Sequence, residues 1–110
     1  MSHYFDESDR GHRADMARLA PEEFKAWMNF NAIVGKSDGA IPVKYRELIA
    51  IAVAHATACP YCIESHAKQA KKVGATKAEV SEAILIASAL CAGAAAAHGG
   101  MAMKFYGDEL

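Results

Sequence analysis

The stretch Ala58–His66, ACPYCIESH, places two cysteines, a proline and a histidine close together. Proline is favoured at the first position of a helix, so we expect a helix to begin at Pro60, with Cys59 as its N-cap and Cys62 in its first turn. Both sulfurs would lie near unpaired backbone N–H groups at the positive end of the helix dipole, which favours thiolate over thiol. The two cysteines, one turn apart, are also close enough to form a disulfide.

The same helical face extends from the cysteines to a histidine. Cys59, Cys62 and His66 have heptad-like spacing, and His66 follows Cys62 by four residues, within reach of proton exchange directly or through one water. Glu47 is the candidate partner for the other ring nitrogen of His66, because it borders the apolar run Leu48–Ala54, where an unpaired carboxylate would be costly. If the helices on either side of Cys59 form an antiparallel hairpin, these residues form a proton relay that ends at a dithiol.

The rest of the chain predicts an all-α fold, since no alternating strand pattern appears. Thr76 and Glu79 have the spacing of a capping box. We expect four main helices, with short ones at the termini: residues 21–34 after Pro21, a helix opened by Pro42 and reaching about 57, Pro60 to near Gly74, and a last helix from Thr76 to His98, ended by Gly99 and Gly100.

Composition also predicts burial and assembly. The apolar run Leu48–Ala54 should be buried nearly all round, and Cys91 should be a small core residue. The segment CAGAAAA at 91–97 has little side-chain bulk and would let another helix approach closely. Apolar residues make up 53% of the 110 residues. This is more apolar surface than a small domain easily buries, so we expect an oligomer.

The chain is long enough for one domain, and we expect an N-terminal segment over residues 1–20 and a single helical domain over 21–110. The formal net charge is −1, and no basic field dominates, so nucleic acid is not an expected partner. No apolar run of about 18 residues is free of charge or histidine, so we expect no membrane span. The N-terminus is unlike a signal peptide, which predicts a cytoplasmic protein.

The pattern of Glu47, eleven residues, CPYC, three residues and His66 resembles the alkylhydroperoxidase D (AhpD)-like branch of the carboxymuconolactone decarboxylase superfamily, over about residues 42–98. The resemblance implies an all-helical fold, usually trimeric or hexameric, and peroxidase activity of the peroxiredoxin type. In that scheme Cys62 attacks the hydroperoxide, Cys59 is the resolving cysteine, and His66 and Glu47 form the relay. A lipoyl-type or thioredoxin-like dithiol would restore the pair, and we expect neither a cofactor nor a metal.

One position departs from this pattern. Members of the active branch often carry a histidine between the two cysteines, where this chain has Tyr61. We expect this departure to affect the reaction rate and the choice of reductant, and to leave the basic dithiol chemistry unchanged. Decarboxylases of the superfamily generally lack the cysteine pair, so the resemblance does not imply decarboxylation.

Other interpretations of the cysteine pair, Glu47 and His66 remain open from the residues. The cysteine pair could serve a non-peroxidase oligomeric binding or redox-sensing protein of the same fold, as a regulatory disulfide or as a zinc site. A second closely spaced ligand pair is missing, so the fourth zinc ligand would be one of Cys91, His55 or His98. Glu47 could instead be a solvated acid paired with Lys44 or Arg46, and His66 an ordinary core histidine.

Overall fold

The computed structural model describes residues 6–110, and every regular element in that range is helical, as predicted. The first five residues of the expected N-terminal segment lie outside this range. A 3₁₀-helix at Glu7–His12 precedes five α-helices: α1 Arg13–Leu19, α2 Pro21–Val34, α3 Val43–Ala56, α4 Pro60–Lys72 and α5 Lys77–Tyr106. No strand occurs among the described residues.

The chain divides into two compact units, one ending at Arg46 and the other comprising Glu47–Leu110. The second unit contains all of the predicted site residues. The expected division into an N-terminal segment and a domain from residue 21 stays a prediction.

The first unit is held by aromatic and polar contacts. Phe24 and Trp27 on α2 pack edge to face with ring centroids 5.5 Å apart, and the Arg13 guanidinium lies over the Trp27 ring. Arg46 donates hydrogen bonds from Nε to the Ile41 carbonyl and from Nη1 to the Val34 carbonyl, each 2.8 Å long. Arg46 therefore anchors the loop after α2.

Helix starts follow the sequence signals. Pro21 and Pro60 occupy the first turns of α2 and α4. The Thr76–Glu79 capping box at the start of α5 is complete: Thr76 Oγ1 accepts from the Glu79 N–H at 3.1 Å, and Glu79 Oε1 accepts from the Thr76 N–H at 2.9 Å. Gly74, just beyond α4, has a φ of 90°, a conformation that favours glycine after a helix.

The predicted end of α5 at His98 is wrong. The helix continues through Gly99 and Gly100 to Tyr106 and stops at Gly107, which has a φ of 108°. A glycine inside a helix costs about 1 kcal/mol relative to alanine but does not prevent helical hydrogen bonding. The flanking alanines and methionines favour helix strongly enough to carry it through the pair.

The core of the second unit is small and built mainly from alanine. Its buried apolar residues come from three helices: Ile51 and Ala54 from α3, Ala70 from α4 and Ala83 from α5.

Two burial predictions are wrong within this chain. Ile49 and Val53 of α3 are half exposed rather than buried, and the Cys91 thiol on α5 is exposed. The reason in both cases is that the described residues cover only part of the surface of these helices.

α5 is long and apolar enough to cross a membrane by length and composition alone, and 11% of its most apolar window is buried inside the described chain. Core helices of water-soluble proteins also pass this test when other elements cover them. The expected absence of membrane contact therefore stays a prediction.

Candidate active site

The site begins at the turn between α3 and α4, which closes with backbone hydrogen bonds. The Cys59 N–H donates to the Ala54 carbonyl at 3.0 Å, and the Ala58 N–H donates to the His55 carbonyl at 3.2 Å. This pairing corresponds to a Schellman-type helix end, in which one residue adopts the left-handed conformation. Here that residue is Ala58, with a φ of 53°. The turn places Cys59 directly before the first residue of α4.

Cys59 and Cys62 form a disulfide across the first turn of α4. Their Cα atoms are 5.3 Å apart, within the range that a disulfide spans. Cys59 is the N-cap residue, as predicted, and its Sγ accepts a hydrogen bond from the Cys62 N–H at 3.3 Å. A sulfur that satisfies an N–H group at a helix N-terminus lies where negative charge is favoured.

Glu47 and His66 are joined by a short hydrogen bond, with 2.6 Å between Glu47 Oε2 and His66 Nδ1. Glu47, near the start of α3, is 6% exposed and is the only buried charged residue among the described side chains. The His66 side chain on α4 remains 33% exposed. The contact that the sequence suggested is therefore present, and the alternative of a solvated Glu47 is not what the structure shows.

This hydrogen bond bears on which ring nitrogen of the imidazole can accept a proton. An ionised carboxylate only accepts hydrogen bonds, so in a neutral imidazole paired with it the proton lies on Nδ1 and Nε2 carries the lone pair. Cys62 and His66 are four residues apart in α4 and share a face. The arrangement thus combines a cysteine pair at a helix N-terminus with an imidazole oriented by a carboxylate one turn further along, which suits thiol–disulfide redox chemistry.

The remaining sequence candidates do not join this cluster. His55 Nδ1 lies 2.8 Å from the Ile51 carbonyl of its own helix, and Cys91 and His98 are exposed on α5. Within the described part of the chain, no group of three or more His, Cys, Asp or Glu side chains is arranged to hold a metal ion. Among residues 6–110, the fold therefore brings no fourth zinc ligand to the cysteine pair.

Sequence reasoning missed one residue that shapes the site. Ala58 carries the left-handed conformation that turns the chain into the Cys-X-X-Cys segment. Glycine is the residue that normally signals such a helix end, so an alanine gave no indication of it.

The chain is similar in sequence to one protein family over most of its length. The sequence profile of the carboxymuconolactone decarboxylase family matches residues 21–103, most of the chain. A protein of Paracoccus denitrificans described as "uncharacterized protein 4 in cox locus" is 49% identical over 74 residues, covering 67% of this chain and 66% of that protein. This chain thus spans slightly less than two thirds of that relative's length.

A solved structure shows the same fold. The crystal structure of a protein from Methanobacterium thermoautotrophicum aligns with a TM-score of 0.73 and 27% sequence identity, over 83% of this chain and 98% of the other. The similarity therefore covers nearly the whole of that protein.

Proposed function

The chain belongs to the carboxymuconolactone decarboxylase family, and we propose that within it the protein is a cysteine-based peroxidase of the AhpD-like branch. It reduces hydroperoxides through a Cys59–Cys62 dithiol/disulfide cycle, assisted by a Glu47–His66 proton relay. The observation that carries this proposal is the 2.6 Å hydrogen bond between Glu47 and His66, on the helix that begins with the cysteine pair.

The cycle starts from the reduced pair. His66 Nε2 accepts the proton of the Cys62 thiol, and the thiolate attacks the terminal oxygen of the hydroperoxide. The O–O bond breaks, the leaving alkoxide takes a proton to become the alcohol, and Cys62 becomes a sulfenic acid. Cys59 then attacks the Cys62 sulfur, the S–S bond forms, and hydroxide leaves and is protonated to water. Two electrons pass from the two sulfurs to the peroxide.

The buried carboxylate has a defined role in this scheme. Glu47 holds the His66 ring so that Nδ1 carries a proton and Nε2 does not, and it stabilises the imidazolium that forms when Nε2 takes the thiol proton. The one-third exposure of His66 supports access for a small peroxide or a water.

The remaining features of the proposal concern assembly and setting. We propose a homotrimer or homohexamer in the cytoplasm, regenerated by a lipoyl-type or thioredoxin-like dithiol protein. The exposed apolar side chains of α5 support assembly, since a water-soluble monomer rarely exposes a large apolar surface.

A thiol count with parallel metal analysis tests the proposal. The chain holds three cysteines, so the fully reduced protein should show three thiols and, after one equivalent of an organic hydroperoxide, only the Cys91 thiol. Peroxide-resistant thiols would contradict the peroxidase. One tightly bound zinc per chain that blocks the reaction, and is lost with the helical signal on chelation, would favour the zinc alternative.

Variants then assign the two cysteines. In Cys59→Ser the reaction should stop at a Cys62 sulfenic acid that dimedone traps, and Cys62→Ser should give no peroxide-dependent adduct at the site. Cys91→Ser is the matched control and should lose both remaining thiols. A dimedone adduct on Cys59 in the Cys62→Ser protein, with none on Cys62 in the Cys59→Ser protein, would reverse the two roles.

A further inference from the structure

Positive charge is concentrated in the segment that follows the disulfide. Residues 60–77 contain four lysines and one glutamate, a net charge of +3, whereas the whole chain has a net charge of −1. The remaining residues therefore sum to −4. A charge separation of this size within a short chain creates a local positive field on a molecule that is acidic elsewhere.

The lysines lie on the side of α4 that faces away from the core. Lys68, Lys71 and Lys72 are exposed, whereas Ala70 between them is fully buried. Glu64 Oε1 lies 3.7 Å from Lys68 Nζ and offsets part of the charge. Two of the three lysine charges on this face of α4 are therefore in excess.

Helix stabilisation does not account for the whole cluster. Lys71 and Lys72 lie in the last turn of α4, where cations favour the helix dipole. Lys77, however, is the first residue of α5, where a cation opposes the dipole. The cluster thus includes a lysine that helix stability does not require.

The positive face and the disulfide share one helix. At about 1.5 Å per residue, Lys68 lies about 9 Å and Lys72 about 15 Å along the axis from Cys62. Tyr61, Ser65, Lys68 and Lys72 follow one another at spacings of four, three and four residues, so one stripe runs from Tyr61 to the lysines, beside the face of α4 that carries Cys62 and His66. A partner that reaches the disulfide along this stripe would contact the positive face.

We propose that this stripe is the docking surface for an acidic protein that carries the reducing dithiol. This inference rests on the proposed function, since the cycle needs an external two-electron donor. A thiolate of the partner attacks one sulfur of Cys59–Cys62 to form a mixed disulfide. The partner's second thiol then attacks its own sulfur in that bond, so the partner leaves as a disulfide and both cysteines return as thiols. Complementary charge accelerates the encounter and selects among dithiol carriers.

Two synthetic peptides test the proposal directly. Both carry one dihydrolipoyl-lysine; in one it is flanked by glutamates, in the other by glutamines. The oxidised protein is mixed with each peptide at low ionic strength, and the appearance of protein thiols is followed by rapid quenching. The acidic peptide should reduce the disulfide about 10-fold faster than the neutral one, and this ratio should fall toward one as salt is raised.

Charge variants locate the effect. In Lys68→Gln/Lys72→Gln the ratio of the two peptide rates should fall close to one. Lys25→Gln/Lys36→Gln, which removes the same charge from exposed sites before residue 47, should keep the wild-type ratio. Circular dichroism of each variant checks that the helices are intact.

These outcomes test the docking surface independently of the peroxidase activity, because the peptide assay contains no peroxide. Equal rates for the two wild-type peptides would overturn it, as would an equal loss of the ratio in the control variant. Reduction by dithiothreitol with no reduction by either peptide would also overturn it, since an accessible disulfide would then reject a dithiol carrier. Failure of the peroxidase would appear only in the peroxide assay.

Discussion

At the scale of single residues, the Glu47–His66 pair lowers the free-energy cost of burying a carboxylate. A buried carboxylate is costly unless it is paired, and Glu47 obtains its hydrogen bond from a histidine that is itself partly exposed. The pair therefore connects the interior of the second unit to its surface. A carboxylate–imidazole pair of this kind orients a base without exposing the acid to water.

We expect substitutions in this pair to act on rate more than on folding. His66→Gln should slow oxidation of the reduced protein by peroxide by about 10²–10⁴-fold, because the base is lost. Glu47→Gln should slow it by a smaller factor, because the amide oxygen can still accept the Nδ1 proton. Stopped-flow measurement of the second-order rate constant checks both.

The control for this pair is Glu82→Gln, an equal charge change at an exposed position of α5. Its rate should match that of the wild type. Rates for His66→Gln and the wild type that agree within a factor of two, at equal helical content, would remove the histidine from the mechanism.

How much of the site could be predicted depends on how local each signal is. Cys59 at the N-cap followed from Pro60, because proline at the first helical position is a short-range signal. Glu47 and His66 could be matched because helical spacing and the cost of burying a carboxylate both pointed the same way. Ala58 could not, because its conformation is imposed by the two helices that meet there rather than by its side chain.

At the scale of secondary structure, this turn provides a test of backbone strain. A left-handed conformation is unfavourable for alanine by about 1–2 kcal/mol, whereas glycine adopts it freely. Glycine also makes the unfolded chain more flexible, which offsets about 0.4–1 kcal/mol of that gain. Ala58→Gly should therefore stabilise the protein by roughly 1 kcal/mol, measured by urea unfolding at matched protein concentration.

The paired control lies two residues earlier. Ala56→Gly, at the last residue of α3, removes an alanine from an ordinary helical conformation and should destabilise by about 0.5–1 kcal/mol. Opposite signs for the two substitutions would show that the effect belongs to the backbone of Ala58. Destabilisation of similar size by both would refute the strain.

The helices themselves show which features sequence can predict. α2 runs over the predicted residues 21–34, because Pro21 begins it and Gly35 follows it. α5 extends beyond its expected end because the pair Gly99 and Gly100 stays helical, and the helix ends only at Gly107, which has a positive φ. Burial was the least predictable property: the apolar run in α3 indicates a buried helix, but it does not say which molecule covers each side.

At the scale of the whole molecule, the exposed apolar side chains need an explanation. Leu85, Ile86 and Leu90 in the middle of α5 are mostly exposed, and so are Met103 and Phe105 near its end. The same helix has the length and composition of a membrane span. Coverage by other copies of the chain and insertion into lipid are two ways to remove this surface from water, and they predict different behaviour in solution.

We expect the chain to be water-soluble and oligomeric without detergent, with α5 in the contact between copies. Ile86 and Leu90 are four residues apart and share one face of α5, and Leu90 is 68% exposed. Leu90→Glu would place a charge in an apolar contact and should shift the light-scattering mass toward the 11.7 kDa of one chain. Gln69→Glu adds the same charge at an exposed position of α4 and should leave the oligomer mass unchanged.

Two results would contradict this expectation. A wild-type mass of 11.7 kDa at micromolar concentration would exclude the oligomer. A protein that sediments with lipid vesicles and needs detergent for extraction would assign α5 to the membrane instead.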